Sequence, residues 1–152
     1  MRAVVPIAAL LAVSFTAIPA CASSLDNNPP DQQTIDALEA KASQAQPRDQ
    51  CFLYAELVHQ MTELSIRQYA AGDVTKATGL LERVQQLAQK IHFSLAENDK
   101  RLKNAEILLN HTVFRLNEML HASSLEDRPM VQKTITQVTQ AQSEAMMQVF
   151  QK

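Results

Sequence analysis

Apolar residues recur at steps of three and four from Leu81 onward: Leu81, Val84, Ala88, Ile91, Leu95, Leu102, Ala105, Leu109, Val113, Leu116 and Leu120. Steps of that size put side chains on one face of a helix, and the phase holds from end to end. The stretch from Leu80 to Arg128 is 49 residues without Gly or Pro, with Gly72, Asp73 and Gly79 before it and Pro129 after it. Its most polar part is Glu97-Asn98-Asp99-Lys100, yet Glu97/Arg101 and Asp99/Lys103 straddle that part at the helical i,i+4 spacing. The pattern predicts one long, kinked helix from about Val74 to Ala122, roughly 70 Å at 1.5 Å per residue. A break near 97–100, with Asn98 opening a new helix, would instead give a compact up-down four-helix bundle.

The rest of the pattern is arranged against this stretch. Asp31 can cap a short helix to about Gln44, with Ile35, Leu38 and Ala42 on one face. Asp49 is placed to cap a second helix, Gln50 to about Ala71, whose inward face carries Leu53, Leu57, Met61 and Leu64. Glu63 and Arg67 stand four apart, as on an exposed flank. Ala71-Gly72-Asp73 is short enough to force an antiparallel reversal, with Gly72 in the left-handed position and Asp73 as the next cap. Helix two would cover the first half of the long helix and the last helix its second half. Ile107, Leu108, Phe114 and Met119 broaden the apolar arc there, which implies more than one packing neighbour or a second copy. Ser124 with Asp127 resembles a capping box ahead of Pro129, and the last helix turns Val131, Ile135, Val138, Ala145 and Val149 inward. The fold class expected is therefore all-α: an antiparallel helical bundle of about four helices, parts of it coiled-coil-like.

Composition narrows the function classes. Two glycines and no Trp disfavour an all-β fold, which needs many turns. A net charge of −2, without a Lys/Arg cluster among aromatics, sets nucleic acid aside. Met1-Arg2, the apolar run to Ala17 and Ala20-Cys21-Ala22 read as a signal peptide over residues 1–22, too short for a membrane span. Ile18-Pro19-Ala20-Cys21 also resembles a degenerate lipobox, out of pattern at Pro19; that resemblance implies a lipid anchor on Cys21. Residues 23–30 then form a polar tether and 31–152 one helical domain, exported to the periplasm or secreted. Loss of residues 1–22 leaves Cys51 unpaired, so no disulfide forms within the chain.

Candidate chemistry is sparse. Glu56/His59 and Glu118/His121 are two Glu-x-x-His motifs, the spacing that supplies metal ligands in ferritin-like bundles. Glu39, Glu82, Glu97 and Glu144 are the carboxylates available to complete such a site. On one long helix His121 lies roughly 50 Å from His59 along the axis; folded back, the motifs still differ by about 20 Å. Cys51 falls in the first turn of its helix, where the dipole favours thiolate, as a reactive thiol or an intermolecular disulfide. A buried, hydrophobe-like Cys51 is the plainer expectation. His92 and His111 flank the apolar stripe, and Asn110-His-Thr112 is a sequon stranded mid-helix. No phosphate loop, nucleophile elbow or haem motif is present, so no cofactor is expected. The function expected is a non-enzymatic protein-interaction or structural module acting through an apolar helix face, on an unknown protein partner or itself. The alternative is a metal-binding, ferritin-like protein.

Overall fold

In the computed structural model the described residues are 30–95 and 101–151. The expected leader with Cys21, the tether up to residue 29 and the polar segment 97–100 lie outside them. The described residues form five helices and no strand: α1 (Gln32–Gln44), α2 (Pro47–Ala70), α3 (Val74–Ser94), α4 (Leu102–Ala122) and α5 (Arg128–Phe150).

Each end follows from local chemistry. The Thr34 amide donates to Asp31 Oδ1 at 2.7 Å and starts α1. Helix α2 begins earlier than expected, at Pro47, because proline's fixed φ suits a first turn whose N–H has no partner anyway. Asp49 therefore sits inside the first turn rather than capping it. Gly72, at φ 84°, closes α2: the Asp73 amide reaches back to the Gln68 carbonyl and Gly72 to Tyr69. Asp73 then caps α3 by accepting from the Lys76 amide. At the last corner the Asp127 amide donates to Ser124 Oγ at 3.3 Å.

The single long helix from Val74 to Ala122 is not what forms. Helix α3 ends at Ser94, and Arg101 takes φ 65°, a left-handed conformation that no right-handed helix can pass through. Contacts locate the two ends. Cys51 has Ser94 as a hydrogen-bonding neighbour, and the Arg101 guanidinium stacks on Phe52 at 3.4 Å. Both ends of the interruption thus stand against the start of α2, so the chain has turned back. The i,i+4 charge spacing had suggested continuity, but exposed pairs of that kind contribute only about 0.3–0.5 kcal/mol. That is too little to outweigh the burial of whole helix faces.

Helix α2, not the central stretch, is the hub: α1, α3 and α4 all pack on it, while α5 packs on α3 and α4. Helices α2 and α3 run antiparallel, with Ser65 Oγ donating to the Ala77 carbonyl near one end and Lys90 over the Tyr54 ring towards the other. Helices α2 and α4 run parallel, since Phe52, His59, Glu63 and Tyr69 meet Arg101, Thr112, Arg115 and Ser124 in that order. Helices α3 and α5 are likewise parallel, Gln85 meeting Thr134 and His92 meeting Glu144. Helices α3 and α4 consequently stand diagonally across the bundle and do not touch among the described residues.

Helix α2 buries a wide face that includes Leu57, Val58, Met61 and Thr62. Helices α4 and α5 bury narrow seams: Leu102, Ala105, Leu109, Thr112, Leu116, Met119, and Val131, Thr134, Val138, Ala141, Ala145. The broad arc expected on α4 divides accordingly. Met119 is buried, Leu108 half-buried, and Ile107 and Phe114 point outward.

One side chain ties the far corner to the hub. Tyr69 Oη donates to Asp127 Oδ2 at 2.9 Å and accepts from the Ser124 amide at 2.8 Å. Tyr69→Phe is expected to cost about 1–2 kcal/mol, the usual range for losing hydrogen bonds whose partners are partly enclosed. Urea titration checks it, with the midpoint moving and the slope unchanged.

Candidate functional site

A group of interacting ionisable side chains lies on the α2–α4 seam. Parallel packing puts His59 and Glu63, one turn apart on α2, beside His111, Thr112 and Arg115 on α4. Arg115 grips Glu63 with two donors, Nε to Oε1 at 2.6 Å and Nη2 to Oε2 at 3.0 Å, and also holds Glu118. Glu63 is therefore not the partner of Arg67, as the spacing had suggested; its partner comes from another helix. Hydrogen bonding from Arg115 holds the Glu63 carboxyl below its ordinary value against the opposing effect of burial.

Thr112 Oγ1 lies 2.8 Å from the Leu108 carbonyl and 3.1 Å from His59 Nδ1, so the hydroxyl bridges its own helix and the imidazole. The His111 ring lies 5.3 Å away, tilted by 53°. Burial, aided by His111 and Arg115, holds the His59 imidazole below its ordinary value of 6.5, with Glu63 pulling the other way. A histidine kept neutral in the fold protonates first in the unfolded chain. Its contribution is complete above about pH 6.5 and declines as the pH falls from there to the folded value. His59→Asn can still hydrogen-bond to Thr112 and is expected to flatten this stage of the acid loss. Urea midpoints measured from pH 7.5 to 5 check it, the wild-type chain falling more steeply.

The two Glu-x-x-His motifs occupy different levels of this seam. His59 is level with Thr112, so His121 lies nine residues further along α4, about 14 Å at helical rise. Glu118 is engaged by Arg115, and His121 is exposed. Glu39 pairs with Arg83, and Glu144 with His92 at 2.6 Å. Among the described residues no group of three or more His, Cys, Asp or Glu side chains is placed to hold a metal ion. Of the four histidines, His59 and His111 are the two whose rings come together.

Cys51 is fully buried, and loss of solvent pushes its thiol up to about 11 even with Ser94 beside it. Burial outweighs the helix dipole, which alone would favour a reactive thiolate, and the side chain sits in the core like a small hydrophobe. The sequon threonine, Thr112, is buried in the seam.

Large apolar side chains left in solvent form the other candidate surface. Phe93, Met147 and Phe150 stand 78%, 53% and 81% exposed near the ends of α3 and α5. Phe93 and Met147 share an open groove of about 450 Å³ with Leu95 and Glu144. Ile107 and Phe114, two turns apart, form an outward strip on α4. Phe93 and Phe150 lie outside the periodic apolar stripe and so escaped the sequence pattern; that off-phase placement was the signal available. Among the described residues no helix is long and apolar enough to cross a membrane. No known protein-family model, characterised protein or solved structure matches this chain.

Proposed function

We propose that this chain is an exported, non-enzymatic interaction module, in which a compact up-and-down scaffold presents an apolar end and strip to a protein surface. The observation that supports the reading is the exposure of Phe93, Met147 and Phe150 together at one end of the bundle. Isolated apolar side chains in solvent are ordinary, whereas grouped aromatic and Met side chains are the composition of interface centres. The ionisable groups, by contrast, are largely engaged with one another, and the thiol is enclosed.

Light scattering on the chain from Ser23 onward tests the self-association form of this reading. The wild-type chain is expected to associate as concentration rises, and Phe93→Ser with Phe150→Ser to return it to monomer with Tm unchanged. A wild-type chain that stays monomeric at millimolar concentration overturns self-association. Export is tested by the mass of the protein recovered from the producing cell: a start at Ser23 supports the cleaved form, and lipid-modified Cys21 the anchored one.

A further inference from the structure

At the opposite end from this apolar surface, and independent of it, an open groove of about 780 Å³ runs between the start of α1, the end of α2 and the first turns of α3. That volume is within the range of small-molecule sites. Its walls include Leu64 and Leu80, and its charged lining is Arg67, Lys76 and Arg83 against one carboxylate, Asp31. Three of these four are already engaged. Asp31 caps α1, Lys76 bridges to Asp73 at 2.8 Å, and Arg83 bridges to Glu39 at 2.6 Å.

Arg67 is different. Its Nε and Nη2 are enclosed and have no hydrogen-bond partner among the described residues. A guanidinium cannot shed its proton, so enclosed donors without an acceptor remain a standing cost until an oxyanion reaches them. The fork of Nε and Nη2 matches a carboxylate in both spacing and charge.

Gly79 adds a second observation. It lies on the groove in the interior of α3, at a φ that any residue adopts, and a Cβ built there would meet nothing within 4 Å. Glycine weakens a helix interior relative to alanine. No close packing requires it here; what the missing side chain leaves is width in the groove.

We propose that this groove binds an amphiphilic monocarboxylate, a fatty-acid-like ligand, with the carboxylate on the Arg67 guanidinium and the hydrocarbon chain along Leu64, Leu80 and the gap at Gly79. Apolar walls with one unsatisfied cation select an apolar body bearing one negative head, rather than a polyanion or a neutral lipid.

Isothermal titration of the complete chain with decanoate tests this, with 1-decanol and acetate as the tail-only and head-only arms. Saturable decanoate binding is expected, with decanol and acetate each at least tenfold weaker. Arg67→Met is expected to weaken decanoate at least tenfold, and Arg67→Lys to fall between, because it keeps the charge and loses the fork. Gly79→Leu is expected to abolish binding by filling the gap, while Gly79→Ala retains it and raises Tm. The Gly79 pair keeps the result interpretable should Arg67→Met fold poorly. Absence of saturable binding, equal affinity for decanol, or undiminished binding to folded Arg67→Met or Gly79→Leu would each overturn the proposal.

Discussion

Leu57→Ala is expected to destabilise the folded chain by about 3 kcal/mol, which lowers Tm by about 10 °C for a domain of this size. Leu57 is fully buried on α2, the helix on which three others pack. Removing its terminal carbons loses their transfer free energy and leaves a void that close-packed neighbours fill only in part. The position also separates two accounts of the architecture. Were the central stretch the spine, Leu116→Ala would be the more damaging change. With α2 as the hub, Leu57→Ala is at least as costly, because collapse around it would have to shift several helices together. Parallel urea titrations of the two variants decide it, and a Leu57→Ala loss below 1 kcal/mol contradicts the hub.

Arg115→Met is the second large effect, about 1–2 kcal/mol at neutral pH. The Arg115 and Glu63 side chains are 31% and 23% exposed, so their bridge lies between a solvated pair, about 0–1 kcal/mol, and an enclosed pair broken on one side, about 3–5. The pH dependence distinguishes this loss from lost packing. The Glu63 carboxyl is held below its ordinary value of 4.5, so its contribution is complete above that pH and is lost as the pH falls through the folded value. The gap between wild-type and Arg115→Met should therefore be widest at pH 7 and narrow by pH 3. A gap that stays constant would mean that the arginine's hydrocarbon stem, not its charge, supplies the stabilisation.

Helix positions were legible in the sequence wherever burial and periodicity agreed. Ile35 and Ala42, Leu53 and Leu57, and Val131 and Val138 all lie in the core where the stripe placed them. Corners were legible where a single residue decides the backbone, as at Gly72. What escaped was the partnership between helices. Thr112, Thr134, Gln85 and Ser65 are buried in seams although, as polar residues, they take no part in the apolar stripe. Their polar atoms are satisfied only by a neighbouring helix or by the preceding turn, and neither kind of bond has a signature in spacing. The left-handed turn at Arg101 was hidden in the same way, because an arginine there breaks no propensity rule strongly enough to show. The candidate site was half legible. His59 and Glu118 were singled out, but the residues that join them, Glu63 and Arg115, carried no motif.

The diagonal placement of α3 and α4 divides the bonds into two kinds. Within each antiparallel pair, α2 with α3 and α4 with α5, a short corner dictates how the helices slide against one another. Among the described residues no corner of this kind aligns one pair with the other. That alignment rests on cross-links between the pairs: Glu63 with Arg115, His59 with Thr112, Gln85 with Thr134, Tyr69 with Ser124. Apolar seams of even spacing tolerate a shift by a turn, whereas these donors and acceptors match in one setting only. It follows that the pairs assemble like two halves of a vernier, with the oily surfaces supplying adhesion and the polar teeth fixing the reading.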